Sequence, residues 1–231
     1  MCGLHGFVNI FPTLNPGLLL HENLAYFGNG IQPGRQVMQE DPIHPSSEPV
    51  ENPWQTLSSE IKYENPWIVV RENQVINPSG GRGIYGVVHF RNIAVGIVPV
   101  DDEMHTWLVG QYRYPHDCYE WEIPEGGASP PATPLENAKR ELLEETGIVA
   151  GRWDMIQEMQ LSNSTSNEVS QTFLARDLSF QEAEPEETEA LVVERVPLQE
   201  ACRRAMEGEI RDCMSVAALL KVRLLWDRGE L

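Results

Sequence analysis

The stretch from Gly126 to Ile148 reads GGASPPATPLENAKRELLEETGI and decides the fold of the chain. It passes from a loop of glycine, proline and serine into a charged helix. Thr133 and Glu136 have the spacing of a capping box, and Pro134 occupies the first helical position. Gly147 supplies a C-terminal stop. The sequence therefore predicts a helix that begins at Pro134 and ends before Gly147.

The predicted helix has one apolar side and one acidic side. Its apolar positions, which would pack on a sheet, are Leu135, Ala138 and Leu142. Glu141, Glu144 and Glu145 lie at i, i+3 and i+4, so their carboxylates project from one face. Like charges at this spacing destabilise a helix, and carboxylates near its C-terminus oppose the macrodipole. Two interpretations remain, a solvated acidic face or a site for a divalent cation, which prefers oxygen ligands.

Composition limits the partners of the chain. The 231 residues carry a formal net charge of -18, and no basic patch is available for nucleic-acid binding. No apolar run is long enough to span a membrane. The four cysteines have no metal-ligand spacing and predict no disulfide framework, which favours a reducing, cytoplasmic setting. An acidic protein that binds a phosphorylated small molecule must recruit divalent cations or a few placed arginines.

The chain changes character at Trp54. Residues 1–53 are rich in Pro, Gly and Asn and predict a flexible N-terminal extension, in which Met38 is an alternative start. Beyond them, β-branched and aromatic residues predict strands at 67–71, 84–90, 92–100, 106–113, 155–161, 170–175 and 191–196. Helices are predicted at 198–206 and 211–225. These elements indicate an α+β domain with a mixed sheet.

One further acidic segment, residues 182–190, has a proline and irregular spacing. It is interpreted as a solvated loop, with Glu187 or Glu189 as alternative contacts for metal or substrate.

The capped helix resembles the Nudix box, a glycine followed at fixed distance by REUxEExGU, where U is aliphatic. The matching residues are Gly126, Arg140, Glu141, Leu142, Glu144, Glu145, Gly147 and Ile148. One position differs, because the box has a glutamate where this chain has Ala132. The resemblance implies an α/β/α sandwich with a mixed β-sheet. It also implies a small N-terminal antiparallel β extension at 54–91, followed by the Nudix domain at 92–231.

The flanks of the box resemble the branch of ADP-ribose pyrophosphatases and nucleoside diphosphate-sugar hydrolases. VGQYRYP at 109–115 and WEIPEGG at 121–127 are similar to the segments that enter the box in that branch. SNSTSNE at 162–168 is similar to its later loop, commonly SPGxSxE. Asn163 and Ser164 stand where that loop has proline and glycine, which leaves the choice of substrate open.

The resemblance implies a set of metal ligands. Glu141 and Glu145 would be the principal ligands of Mg²⁺, with Mn²⁺ as an alternative, and Glu144 would be a third or alternative ligand. The backbone carbonyl of Glu125, beside Gly126, would add another oxygen.

Other residues receive roles in the chemistry. Glu168 would activate the attacking water, with Glu144 as the alternative base. Arg113 would grip the substrate diphosphate, for which a guanidinium is suited. Arg140 would orient a box carboxylate, while Gly126 and Gly147 would have structural roles.

The reaction implied is hydrolysis of the pyrophosphate bond of ADP-ribose or a related nucleoside diphosphate sugar, giving a nucleoside monophosphate and a sugar phosphate. Two alternatives are a Nudix hydrolase of another derivative, such as a dinucleoside polyphosphate or NADH, and a non-catalytic nucleotide sensor. The branch also implies a homodimer, formed through the strands between Trp67 and Phe90.

Overall fold

The capped helix forms where the sequence predicts it, as α1 (Pro134–Thr146), in a computed structural model that describes residues 51–183 and 190–231. The Glu136 amide donates to the Thr133 hydroxyl at 3.2 Å, and the Thr133 amide donates to the Glu136 carboxylate at 2.7 Å. Gly147 ends the helix with φ of 70°, and its amide donates to the Leu143 carbonyl at 2.8 Å. A side chain at Gly147 would also overlap the Gln181 carbonyl. Helix start and stop are thus both set by local chemistry.

Two predictions concern residues that lie outside this description. They are the flexible extension over residues 1–53, of which 1–50 are not described, and the contacts of Glu187 and Glu189.

The described part of the chain contains ten strands, three α-helices and a short 3₁₀-helix at Tyr114–His116. The strands are β1 (Gln55–Glu64), β2 (Ile68–Ile76), β3 (Arg82–Phe90), β4 (Ile93–Pro99), β5 (His105–Arg113), β6 (Cys118–Glu122), β7 (Glu125–Ala128), β8 (Ile148–Gln160), β9 (Val169–Phe180) and β10 (Val192–Pro197). The later helices are α2 (Leu198–Met206) and α3 (Cys213–Asp227).

The strands form three sheets. The first is antiparallel, with the order β1-β2-β3, and the second is antiparallel, with the order β10-β5-β6. The third has the order β7-β4-β9-β8 and is mixed, because β4 and β9 run parallel while the other pairs are antiparallel. Residues from Asn52 onward form one compact unit.

Helices cover both faces of the mixed sheet. Successive side chains of β4 point to opposite faces, as the strand geometry requires. Val95 and Ile97 join the core beneath α1, whereas Val98 joins the core beneath α2 and α3. The predicted α+β architecture, with a mixed sheet between helices and an antiparallel sheet on the N-terminal side, is confirmed.

Three elements differ from the sequence prediction. Strand β6, at Cys118–Glu122, was not predicted and pairs with β5. The start of the quoted stretch, predicted as a loop, is strand β7, because residues from Glu125 to Ala128 pair with β4. Strand β1 was not predicted, since all ten of its residues are exposed and it carries no pattern of burial. For β1 and β7, pairing with a neighbouring strand decides the structure, and this pairing leaves no local signal.

Candidate active site

Strand β7 and helix α1 bring four of the predicted residues together. The amide of Glu125 donates to a carboxylate oxygen of Glu145 at 3.1 Å. Gly126 faces Glu141 so closely that a Cβ at Gly126 would overlap the Glu141 carboxyl group. The absence of a side chain at Gly126 therefore leaves room for the Glu141 carboxyl group beside β7. Leu142, on the other side of the helix, is fully buried and fixes the orientation of that face.

The side chain of Glu125 is a feature that the sequence did not predict, since only its backbone carbonyl had been assigned a role. One carboxylate oxygen accepts from Arg113 at 2.6 Å, while Oε2 is buried with no hydrogen-bond partner. Burial, followed by the charges of Asp212 and Glu122, raises the pKa of Glu125 well above its usual value, although Arg113 opposes this rise. A buried carboxylate oxygen without a donor favours binding of a proton or a cation.

Arg113, at the end of β5, lies between two carboxylates. Its Nε donates to both oxygens of Glu122 at 2.9 and 3.0 Å, and Nη2 donates to Glu122 and Glu125 at 2.5 and 2.6 Å. Glu122 is only 3% exposed, so this ion pair is largely removed from water. Burial lowers the pKa of Arg113, but the hydrogen bond to Glu122 and the charges of Glu125, Glu122 and Asp212 outweigh it and raise the pKa overall. The guanidinium of Arg113 thus positions Glu125. The contact between Arg113 and the substrate diphosphate stays a prediction.

Arg140 makes the contacts expected of a residue that orients box carboxylates. It donates to Glu141 and to Glu144, each at 2.5 Å. The bidentate reach across one turn holds both side chains on the same face of α1. Burial opposes the charge of Arg140, but the carboxylates of Glu141 and Glu144 raise its pKa overall.

Glu168 stands immediately before β9 and is half-buried. Burial raises its pKa, and the negative charge of Asp212 raises it further. Asp212 caps α3, because its carboxylate accepts from the Ser215 amide at 2.6 Å. The negative charge of Asp212 also raises the pKa of Glu125 and of Arg113, so the start of α3 lies near the acidic cluster.

Sequence reasoning missed Asp212, Glu122 and the Glu125 side chain. Asp212 precedes a predicted helical segment, which is a usual N-cap signal, and Glu122 lies within the quoted WEIPEGG. Neither signal identifies a residue of the site, because both depend on where the fold places them.

A divalent cation fits the donors of this cluster. Among the described residues, no group of three or more His, Cys, Asp or Glu side chains is already gathered for a metal ion. Arg140 and Arg113 hold oxygens of Glu141 and Glu125 instead. The unpartnered Oε2 of Glu125 and the space that Gly126 leaves for Glu141 indicate a cradle for oxygen ligands. Carboxylate and carbonyl oxygens are the ligands that Mg²⁺ and Mn²⁺ prefer.

A separate cavity of about 600 Å³ lies at the other end of the sheet. Its lining includes Asp101, Trp107 and Arg195, and none of its lining residues is a predicted site residue. It follows the C-terminal ends of the parallel strands β4 and β9, whereas Glu168 precedes β9. It is therefore distinct from the acidic cluster.

The family is established by sequence similarity. Residues 90–216, more than half of the chain, match the NUDIX domain, and residues 54–88 match the nucleoside diphosphate sugar hydrolase N-terminal domain. The chain belongs to the Nudix family and is a Nudix hydrolase. Hydrolases of this family generally use divalent metal ions, for which the carboxylates of α1 and β7 are candidate ligands.

Individual relatives agree with this membership. The chain is 33% identical over 177 residues to an ADP-ribose pyrophosphatase of Mycobacterium tuberculosis, covering 74% of this chain and 84% of that protein. It is 32% identical over 133 residues to an ADP-ribose pyrophosphatase of Bacillus subtilis, covering 57% of this chain and 72% of that protein. A crystal structure of an ADP compounds hydrolase superposes with a TM-score of 0.70 at 26% identity, covering 80% of this chain and all of that one.

No helix among the described residues is long and apolar enough to cross a membrane.

Proposed function

We propose that the chain is a Mg²⁺-dependent hydrolase of the pyrophosphate bond of ADP-ribose or a related nucleoside diphosphate sugar. The products would be a nucleoside monophosphate and a sugar phosphate. The observation that carries this proposal is the approach of Glu125 and Gly126 to Glu141 and Glu145, which gathers oxygen donors on one side of α1. The similarity to two ADP-ribose pyrophosphatases supports ADP-ribose as the first substrate to test.

The acidic face of α1 would hold the cation. Glu141 and Glu145 are the principal proposed ligands, with Glu144 as a third or alternative one and the Glu125 carbonyl as a further oxygen. When bound, the cation would act as a Lewis acid and offset negative charge on the substrate diphosphate. Mn²⁺ is the alternative to Mg²⁺. Arg140 keeps the box carboxylates on one face, and its contacts to Glu141 and Glu144 support this role.

Glu168 would act as the general base. It would take a proton from a water molecule, whose oxygen attacks one phosphorus while the bridging P–O bond breaks. The electron pair of that bond leaves with the second phosphate. The raised pKa of Glu168, caused first by burial and then by Asp212, supports a carboxylate able to accept a proton. Glu144 is the alternative base, but its contact with Arg140 favours a role in orienting ligands.

Arg113, which contacts Glu125, would contribute to binding of the substrate diphosphate. Its pairing with Glu122 and Glu125 supports a guanidinium that is already oriented when a diphosphate enters. A fixed guanidinium loses less conformational entropy on binding than a free one.

We further propose that the protein is a cytoplasmic homodimer joined through the first sheet. Several large apolar side chains of this sheet and of its entry are exposed; they are Trp54, Leu57, Ile61, Tyr63, Trp67 and Ile84. Exposed apolar side chains at this density favour a covered surface, and a second copy of the chain is the partner that the family branch implies. Cys202 and Cys213 are free thiols, which fits a reducing compartment.

The test is a substrate panel with purified protein and Mg²⁺. ADP-ribose, GDP-mannose, UDP-glucose, NADH and a dinucleoside polyphosphate are compared by release of the nucleoside monophosphate. We expect release of AMP from ADP-ribose and loss of nearly all turnover in Glu145→Gln. Glu158→Gln, an exposed carboxylate on β8, is the matched control and keeps its turnover. No release from any member of the panel, with either Mg²⁺ or Mn²⁺, would contradict the proposal.

A further inference from the structure

The loop that carries Glu168 is attached to the first sheet. The Val88 amide donates to the Thr165 carbonyl at 2.9 Å, and the Asn167 amide donates to the Val88 carbonyl at 3.3 Å. Val88 and Ser166 thereby form a parallel β-bridge. Strand β3 therefore uses its free edge, the side away from β2, to hold a loop that belongs to the NUDIX domain match.

Two side chains extend this attachment. The Tyr85 hydroxyl donates to the Ser164 carbonyl at 2.7 Å. The Phe90 amide donates to the side-chain oxygen of Asn167 at 2.7 Å. These bonds lie on either side of the backbone bridge, so the loop is held over its length and not at a single point.

The ring of Tyr85 is itself held by Trp54, the residue that precedes β1. The rings of Trp54 and Tyr85 pack edge to face, with centroids 5.2 Å apart and an interplanar angle of 89°. An edge-to-face contact restricts the ring and so aims its hydroxyl group.

The loop is also bonded within itself. The amides of Thr165 and Ser166 both donate to the Ser162 carbonyl, at 3.1 and 2.9 Å. At the end of the loop the Glu168 amide donates to the Ser166 hydroxyl at 3.3 Å, and the Glu168 carbonyl accepts from Leu161 at 3.1 Å. The backbone at Glu168 is thus connected to β3 through a short chain of hydrogen bonds.

We propose that the first sheet is a positioning element for the general base, and that Tyr85 and Asn167 are the positioning residues through which β3 sets the place of Glu168. Neither residue is required to touch the substrate. This inference rests on the proposed function for its effect on turnover, whereas the attachment itself is a property of the fold.

The positioning role predicts an effect on kcat that is separate from the affinities for substrate and metal. If β3 sets only where Glu168 stands, loss of an anchoring bond lowers kcat and leaves unchanged both the KM for ADP-ribose and the Mg²⁺ concentration that gives half of the maximal rate. A general loss of structure would alter all three quantities. This difference separates positioning from a structural effect.

The test combines turnover with amide hydrogen exchange in Tyr85→Phe and Asn167→Ala. We expect kcat to fall roughly five- to tenfold in each variant, the size that loss of one hydrogen bond gives. The Phe90 amide should exchange faster in Asn167→Ala, and the amides of Val88 and Asn167 should exchange faster in both. Tyr63→Phe is the matched control, because Tyr63 is an exposed tyrosine of the same sheet that makes no hydrogen bond to the loop.

An unchanged kcat in both variants would overturn the inference, and so would either of two further results. One is unchanged exchange at Val88, Phe90 and Asn167 in both variants, which would mean that the side chains do not hold the loop. The other is a fall in kcat that is matched by a rise in KM or in the Mg²⁺ requirement. If the unmodified protein hydrolyses no member of the substrate panel, the proposed function fails, and the exchange measurements alone decide the attachment.

Discussion

The carboxyl group of Glu141 occupies the space that a side chain on Gly126 would fill. Gly126→Ala should therefore push the Glu141 carboxyl group aside, while the fold survives because the displaced atoms are the end of a flexible side chain. We expect Mn²⁺ affinity to fall at least about tenfold, the scale on which disturbed metal ligation acts. Mn²⁺ binding followed by electron paramagnetic resonance measures this, with the Tm as a check on folding.

The neighbouring glycine provides the control. A Cβ at Gly127 would meet the Asn92 side chain at 3.3 Å and would not reach the glutamates of α1. Gly127→Ala should retain Mn²⁺ affinity. Equal affinities in the two variants would show that Glu141 does not contribute to metal binding.

Glu125 should lower the stability of the metal-free protein at neutral pH. Its pKa is raised in the folded state, so the stability it contributes is present below the usual pKa of a glutamate and is lost as the pH rises through the folded value. Glu125→Gln stays neutral at every pH. In the presence of a chelator, the variant should therefore be more stable than the unmodified protein at pH 8.

Urea unfolding across the pH range measures this difference, which should vanish on acidification. Glu120→Gln is the control of opposite sign. Burial raises the pKa of Glu120, but its hydrogen bonds with Cys118 and Arg211 lower the pKa overall. That variant should lose stability at pH 8. A Glu125→Gln variant less stable than the unmodified protein at pH 8 would contradict the prediction.

Glu168 should set the acid limb of the pH profile. A general base must be ionised, and burial together with Asp212 places the pKa of Glu168 above the ordinary 4.5. We expect kcat to fall as the pH drops through a midpoint above that value. Glu168→Gln should lower kcat about 100-fold and remove this limb. Asp212→Asn should move the midpoint down, because it removes a negative charge; a limb that disappears in Glu144→Gln would assign the base to Glu144 instead.

The exposed apolar surface of the first sheet should hold two copies of the chain together. Ile84, on β3, is 64% exposed. Ile84→Asp should give a folded monomer in analytical ultracentrifugation, because a charge in an apolar interface must be desolvated without a partner. Leu224→Asp, at a 54% exposed position on α3, is the matched control and should sediment like the unmodified protein. A monomeric unmodified protein would end the dimer proposal.

Both ends of helix α1 could be predicted to the residue, because residues at the ends themselves determine where the helix begins and stops. Thr133, Glu136 and Gly147 act on backbone groups within one turn of themselves. Strand β7 could not be predicted, because Gly126 and its neighbours become a strand only through pairing with β4.

The same division holds within the site. The spacing of the glutamates of α1 left a solvated face and a cation site open, and the resemblance to the Nudix box favoured the cation site. Asp212, Glu122 and the side chain of Glu125 could not be recognised, because strands and helix ends that are distant in sequence bring them together. The attachment of the Glu168 loop to β3 joins residues 77 or more positions apart, and no local pattern reports it.

The ion pairs of Arg113 and Arg140 give the metal-free protein resident counterions. Each guanidinium neutralises carboxylate oxygens that would otherwise repel one another around Gly126. If a divalent cation binds at these oxygens as proposed, it would replace a guanidinium that already offsets their charge. These ion pairs reduce the repulsion between neighbouring carboxylates. A chain of net charge -18 can therefore stay folded around them when divalent ions are scarce.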